Sequence, residues 1–376
     1  AGQGQQPGVA GPFAGVHRDA LIVAGGANFP EKLPWDGGAK IWWDDIWVLE
    51  NLSGASPRWV NDRTFKLPRR LGYGISVSTP EGVIAVGGHD AERCYAEVFL
   101  LAWDPAARQI RRTTLPAMPE PLSFMAGTFV GSTLYVAGGQ TTMKDAVPST
   151  HFWALDFANR HDPAKFKWTV LPAWPGPARI LPVAAAQRTG RGDEFFLFSG
   201  RRPQADGATE VLSDAYAFEP RTRQWRTLPP VGDGTRVGLS VMAGAAVAWG
   251  EEILLFSGDR GERFLELEAH DRAIAGLRAK LATQPEGTQG AWQREIAERL
   301  AAKRRIYDAH PGFAPEVLAF DPRRERWRLV GRAPGLPAVT TVAVPVGRSI
   351  LLPSGEIKPG IRTPEIVRVM PKWNAP

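Results

Sequence analysis

A single cysteine, Cys94, stands in 376 residues, so no disulfide can close within the chain and no paired-cysteine metal or redox motif exists. Beside Tyr95 it reads as a small half-buried hydrophobe. Histidine is scarce as well: the six are scattered and none falls in an H-E-x-x-H spacing, so a metal site lacks its usual ligands. No G-x-S-x-G elbow is present, which removes one common form of nucleophilic catalysis. No apolar run approaches the roughly 20 residues that a membrane-crossing helix needs. Charge of one sign is also in short supply. Lys and Arg number 45 against 39 Asp and Glu, and the excess of +6 is spread along the chain. That pattern argues against nucleic acid and mildly for a small anionic ligand. No metal, cofactor, nucleic acid or membrane partner is therefore expected, and the oligomeric state is left open.

What the chain has in quantity is turn-formers and aromatics: 40 Gly, 33 Pro, 14 Trp and 17 Phe, which favour many short strands over long helices. Its first stretch, "AGQGQQPGVAG", is a polar arm of the kind left after signal cleavage, and a periplasmic or secreted protein is expected.

An apolar strand ending in Gly-Gly or Ser-Gly recurs six times, as "ALIVAGG", "VIAVGG", "LYVAGG", "FFLFSG", "ILLFSG" and "ILLPSG". A polar loop and an alternating strand follow each copy, as in "DIWVLE" and "DAYAFEP"; most units then add a tryptophan in a charged strand, as in "RQWRTLP". An apolar strand rich in small residues precedes each doublet strand. The unit is a four-stranded antiparallel sheet. Spacings between doublets are 62, 51, 61, 58 and 97 residues, the first four near the roughly 50-residue kelch period. Such sheets bury their faces only against one another. Closing six of them into a ring predicts an all-β, six-bladed kelch-type β-propeller over residues 1–376. The excess in the last spacing is residues 262–310, whose helical period is broken at "TQPEGTQG", and predicts an antiparallel helical hairpin inserted between the second and third strands of blade five.

The loops after the doublets open at one end of the central channel. Their first polar residues are Asn28 (one beyond Ala27), His89, Gln140, Arg201, Asp259 and Glu356, all able to hydrogen-bond or ionise. An exposed loop is polar in any case, so none of these decides anything alone. The loops leading into the first strands add Arg70, Arg179 and Arg236, read as equivalent positions of blades two, four and five. Arginine forks suit carboxylate or phosphate, so the channel mouth is expected to bind an anion.

In blade six the doublet runs into "GEIKPGIRT", where Pro359 and Gly360 set a turn that can fold Arg362 back to Glu356. This segment resembles the G-E-x-K-P-G-x-R-T motif of the sialic acid mutarotases, or N-acetylneuraminate epimerases. The stretch "GVHRDALIVAGGANFPEKLPWDGGAKIWWDDIWVL" is similar to the unit that follows the motif in that family. Here it comes first and the motif last, the order of the cyclically permuted subfamily, which also carries a helical insertion. The resemblance implies Glu356 as the acid/base group, Arg362 as the anchor of a substrate carboxylate, and an isomerase of N-acetylneuraminate as the activity. The supporting substrate contacts would come from Arg70, Arg179, Arg236, Asn28, His89, Gln140 and Arg201. Two other readings stay open: a non-catalytic propeller that binds a glycan or protein, and a copper radical oxidase, which would need a crosslink between Cys94 and a tyrosine.

Overall fold

The computed structural model describes residues 8–60, 62, 64–144, 147–283, 285 and 289–372. Six antiparallel sheets follow one another around a central axis as a β-propeller. Blade one is Phe13–His17, Ala20–Ala24, Ile46–Glu50 and Arg58–Val60, hydrogen-bonded in that order. Blades two to five repeat the plan, with inner strands Ile75–Thr79, Ala126–Val130, Val183–Thr189 and Ala245–Trp249. Blade six has Val344–Val346, Ser349–Pro353 and Ile366–Val369. Its expected fourth strand, "PKWNAP", falls at 371–376, of which 373–376 lie outside the described residues, as do residues 1–7 of the polar arm.

Backbone geometry explains why the doublets read Gly-Gly or Ser-Gly. The first position has φ between 56° and 72°, the left-handed well, and the three serines that occupy it, Ser199, Ser257 and Ser354, sit at 56°, 61° and 58°. At the second position φ rises to between 86° and 122°, where only glycine is unstrained. The chain thus reverses sharply at the top of each second strand, and the residue after the doublet pairs with the segment entering its own blade.

That segment closes the ring. Gly11, Tyr73, Phe124, Leu181, Ala243 and Thr340 hold the same place before their inner strands, all with φ between 51° and 64°. Each amide of this set donates to the carbonyl of its counterpart in the preceding blade, at 2.7–3.0 Å, and Gly11 donates to Thr340. The result is an unbroken circle of six hydrogen bonds that joins blade six to blade one without a shared sheet. Ser354 reinforces the seam: its Oγ accepts from Val9 N at 2.8 Å and donates to Thr363 O at 2.7 Å.

The core lies between blades. Ala24, Ile46 and Val48 of blade one pack with Val83, Phe99 and Trp103 of blade two, and Ala14 and Leu21 meet Val344 and Leu351 across the seam. The repeated tryptophans tie neighbours together: Trp168, Trp225 and Trp327 each donate from Nε1 to a proline carbonyl of the preceding blade, Pro116, Pro172 and Pro229, at 2.8, 2.8 and 3.0 Å. They are scaffold.

Two helices, α1 (Glu262–Leu281) and α2 (Gly290–Asp308), lie between the second and third strands of blade five. Residues 284 and 286–288 of the turn between them lie outside the described residues. Lys303 of α2 pairs with Asp271 of α1. Arg263–Glu266, Glu295–Arg299 and Arg304–Asp308 are ion pairs along their solvent-facing sides.

Candidate active site

The six positions after the doublets are equivalent in space. Ala27, His89, Gln140, Arg201, Asp259 and Glu356 pair with Ala10, Gly72, Ser123, Ile180, Met242 and Val339 respectively. In blade one the equivalent residue is therefore Ala27, whereas Asn28 turns aside, donating from Nδ2 to Gly8 O at 3.0 Å and accepting from Trp43 Nε1 at 2.9 Å. The polar residues divide into two groups.

On blades two and three, His89 and Gln140 are 1% and 2% exposed. The His89 ring stacks on Tyr73 at 5.0 Å, and Trp42 meets it edge-on at 5.4 Å. Its Nδ1 donates to Asp90 O at 2.7 Å, while Nε2 has no partner. Burial lowers its pKa to about 4, so the ring is neutral near pH 7. Gln140 donates from Nε2 to Thr142 O at 2.8 Å and leaves Oε1 unbonded.

On blades four to six the group is charged. Glu356–Lys358 and Ile361–Arg362 form a two-stranded ribbon in which Glu356 faces Arg362, with Gly360 at φ 75° in the turn. Pro359 and Gly360 thus do fold the arginine back. Glu356 Oε1 accepts from Gly360 N at 2.8 Å and lies 3.2 Å from Arg362 Nη1. The guanidinium is 5% exposed, with Phe29 of blade one 4.9 Å beneath its centre. Its Nε and Nη1 make no hydrogen bond; the contact with Glu356 is an ion pair out of line for one. Arg201 stands nearby with Nε also unbonded, its guanidinium 4.4 Å above the ring of Phe264 on α1. Burial lowers its pKa, opposed by Asp259, Glu268 and Glu356. Asp259 Oδ1 accepts from Gly261 N at 2.8 Å, yet burial, with Glu356 and Glu262 adding to it, raises its carboxyl pKa against the pull of Arg201. Two arginines with unbonded donors and two carboxylates in unlike environments are an arrangement that can bind an anion and move protons beside it.

The other three arginines do not hold equivalent positions. Arg179 precedes the ring residue Leu181 by two, Arg70 precedes Tyr73 by three, and Arg236 precedes Ala243 by seven. Arg179 is wholly buried and fully engaged: Nη1 and Nη2 grip Asp214 at 2.6 and 2.7 Å, and Nη1 and Nε reach Ser199 O and Pro177 O. Arg236 is exposed and bonds Asp233 at 2.8 Å in its own loop, and Arg70 is exposed. A repeat read one strand at a time cannot see these offsets, because the loops leading into the blades differ in length.

Sequence reasoning also missed Phe29, Trp35, Phe264 and Glu268. "NFPEKLPW" carries aromatics in a loop, a signal available in advance, but the helical period of 262–310 hid the fact that α1 meets the mouth. Among the described residues no group of three His, Cys, Asp or Glu is gathered as a metal site, and no helix is long and apolar enough to cross a membrane. A further cavity follows the central axis. It is a channel of 420 Å³ along the six inner strands, lined by residues such as Ala14, Ser76, Ala186 and Ala248, with no Asp, Glu, Lys, Arg or His on its walls.

A family model for N-acetylneuraminate epimerase matches residues 115–374, which run from the end of blade two through blade six. The chain belongs to the N-acetylneuraminate epimerase family. Among its relatives, the N-acetylneuraminate epimerase of Vibrio vulnificus is 29% identical over 254 residues, covering 67% of this chain and 58% of the relative. That of Brucella melitensis is 30% identical over 285 residues, covering 73% and 63%. This epimerase-family chain therefore aligns with about three-fifths of the length of these curated relatives. The solved structure of YjhT matches it with a TM-score of 0.62 over 98% of this chain and 96% of that one, at 12% identity, a likeness of fold alone. The matched stretch contains Arg201, Asp259, Glu356 and Arg362.

Proposed function

We propose that the protein interconverts the α and β anomers of N-acetylneuraminate. The observation that carries this reading is the buried Arg362, with Nε and Nη1 unbonded, held beside Glu356 at 3.2 Å. A buried donor without a partner costs about 1–3 kcal/mol, more when charged, which an arriving carboxylate would recover. Sialic acid carries a carboxylate on its anomeric carbon, so one bidentate contact would hold the reacting centre still.

Anomer exchange opens and recloses the hemiketal. Glu356 is the base: no hydrogen bond reaches its Oε2 among the described residues, and this oxygen takes the proton of the anomeric hydroxyl. The carbon–ring oxygen bond breaks as the anomeric carbon becomes a ketone, and the ring oxygen receives a proton from Asp259, which burial holds towards its protonated form. The ketone turns over, the hydroxyl adds to its other face and returns its proton to Asp259, and Glu356 gives its proton to the new anomeric oxygen. Protons and bonds balance over the cycle. Arg201 supplies a second cation against the carboxylate charge.

The test is a proton NMR time course of α-N-acetylneuraminate freshly released by a sialidase, at a pH where spontaneous exchange is slow. Wild type should speed the approach to the β anomer, and Glu356→Gln should follow the curve without protein. If wild type binds the sugar and leaves that curve unchanged, the protein is a binding propeller.

A further inference from the structure

We infer that the helical hairpin is a positioning element of the active site, acting on the Glu356–Arg362 ribbon through Trp35. This inference rests on the reading of Glu356 and Arg362 as the reacting pair, although one of its tests does not.

The hairpin is fastened at three places around blade five. On blade four, Glu268 of α1 accepts from Thr209 N at 2.9 Å and from Thr209 Oγ1 at 2.6 Å. On blade one, Tyr307 of α2 lies flat against Trp35, ring centres 4.2 Å apart and planes 16° from parallel, and Arg304 bonds the adjacent Asp36 at 2.5 Å. On blade six, the segment leaving α2 touches the ribbon itself: a Cβ at Gly312 would lie 3.3 Å from Ile357 O.

The blade-one contact is the one with consequences. Trp35 and Pro34 form the floor under the turn of the ribbon, since a Cβ at Gly360 would lie 2.9 Å from Pro34 Cδ and 3.1 Å from Trp35 Cζ3. Gly360 is the residue whose amide holds Glu356 Oε1. The order of contact is Tyr307 on Trp35, Trp35 on Gly360, and Gly360 on the Glu356 carboxylate. The Glu356–Arg362 ribbon lies outside the three strands of blade six; it is tied at its base, where Glu356 and Val339 exchange backbone bonds at 2.9 Å, while its turn has only the two-strand pairing of its own. A two-stranded ribbon is marginal alone, so its shape depends on what packs against it. The same hairpin sets Arg201 through Phe264. An element that reads as a surface insertion thus reaches both arginines of the site.

The test uses the full chain and the variants Trp35→Ala, Tyr307→Ala and Tyr307→Phe, with Leu300→Ala as a control on an exposed face of α2. The first readout is hydrogen exchange of the amides of 356–358 and 360–362, which needs no substrate. Exchange there should quicken at least tenfold in Trp35→Ala and Tyr307→Ala, and stay at the wild-type rate in Tyr307→Phe and Leu300→Ala. The second is the anomer-exchange assay, where kcat should fall tenfold or more in the two alanine variants and recover in Tyr307→Phe, with the smaller change in KM. Should Trp35→Ala fail to fold, Tyr307→Ala carries both readouts. Wild-type exchange at 356–362 in a folded Tyr307→Ala would overturn the inference. A wild type without mutarotase activity would instead sink the functional reading while the exchange result still stands.

Discussion

Arg179 and Arg362 are both removed from water, and their surroundings could hardly differ more. Arg179 has its charge matched inside the chain by a two-pronged contact with Asp214, and its Nε and Nη1 also bond carbonyls. Arg362 has one carboxylate out of line, an aromatic ring below it, and two nitrogens that bond to nothing. A buried cation with every donor satisfied is part of the scaffold. One left unsatisfied points to a partner from outside. The same contrast separates Ser354, whose hydroxyl accepts from Val9 across the seam and donates to Thr363 within blade six, from Arg201, whose Nε is unbonded.

The largest effect should come from the unsatisfied side. Glu356→Gln should lower the anomer-exchange rate by about 10²–10⁴-fold, the usual worth of a general base, with the melting temperature near that of wild type. Next is the satisfied side: Arg179→Ala strands Asp214 and should cost about 3–5 kcal/mol of stability, seen by denaturant titration, while the folded fraction keeps its rate per molecule. If Arg179→Ala proved stable but unable to bind the sugar, the two arginines would have been assigned the wrong way round.

His89 sharpens the comparison through pH. Its folded pKa, about 4, lies below the ordinary 6.5, so its neutral form favours folding above pH 6.5 and that contribution is lost as pH falls towards 4. The shift is worth on the order of 3 kcal/mol. His89→Gln should flatten the drop in stability between pH 6.5 and 4, measured by unfolding at several pH values. The smallest change is Ser354→Ala, which removes one seam bond and should cost about 1 kcal/mol, leaving the site intact.

Much of this was legible in the residues because backbone geometry wrote it there. The second doublet position needs glycine, so the repeat, its register and the places of His89, Gln140, Arg201, Asp259 and Glu356 could be read from the chain. The pairing of Glu356 with Arg362 was readable too, since both sit on one short turn. What could not be read depends on segments that meet only after folding. Asp36 and Arg304 are 268 positions apart, and nothing local in "PWDGG" announces a helix against it. Arg179 looked like an anion ligand until Asp214, 35 residues on, proved to occupy it. Charges declare their type in a sequence and their partners only in space.

The most direct measurement is the affinity of wild type, Arg362→Ala and Arg179→Met for N-acetylneuraminate and for its C1 methyl ester, by calorimetry. The account predicts that wild type and folded Arg179→Met favour the acid at least tenfold, and that Arg362→Ala binds both alike. A preference for the acid that survives in Arg362→Ala would contradict it.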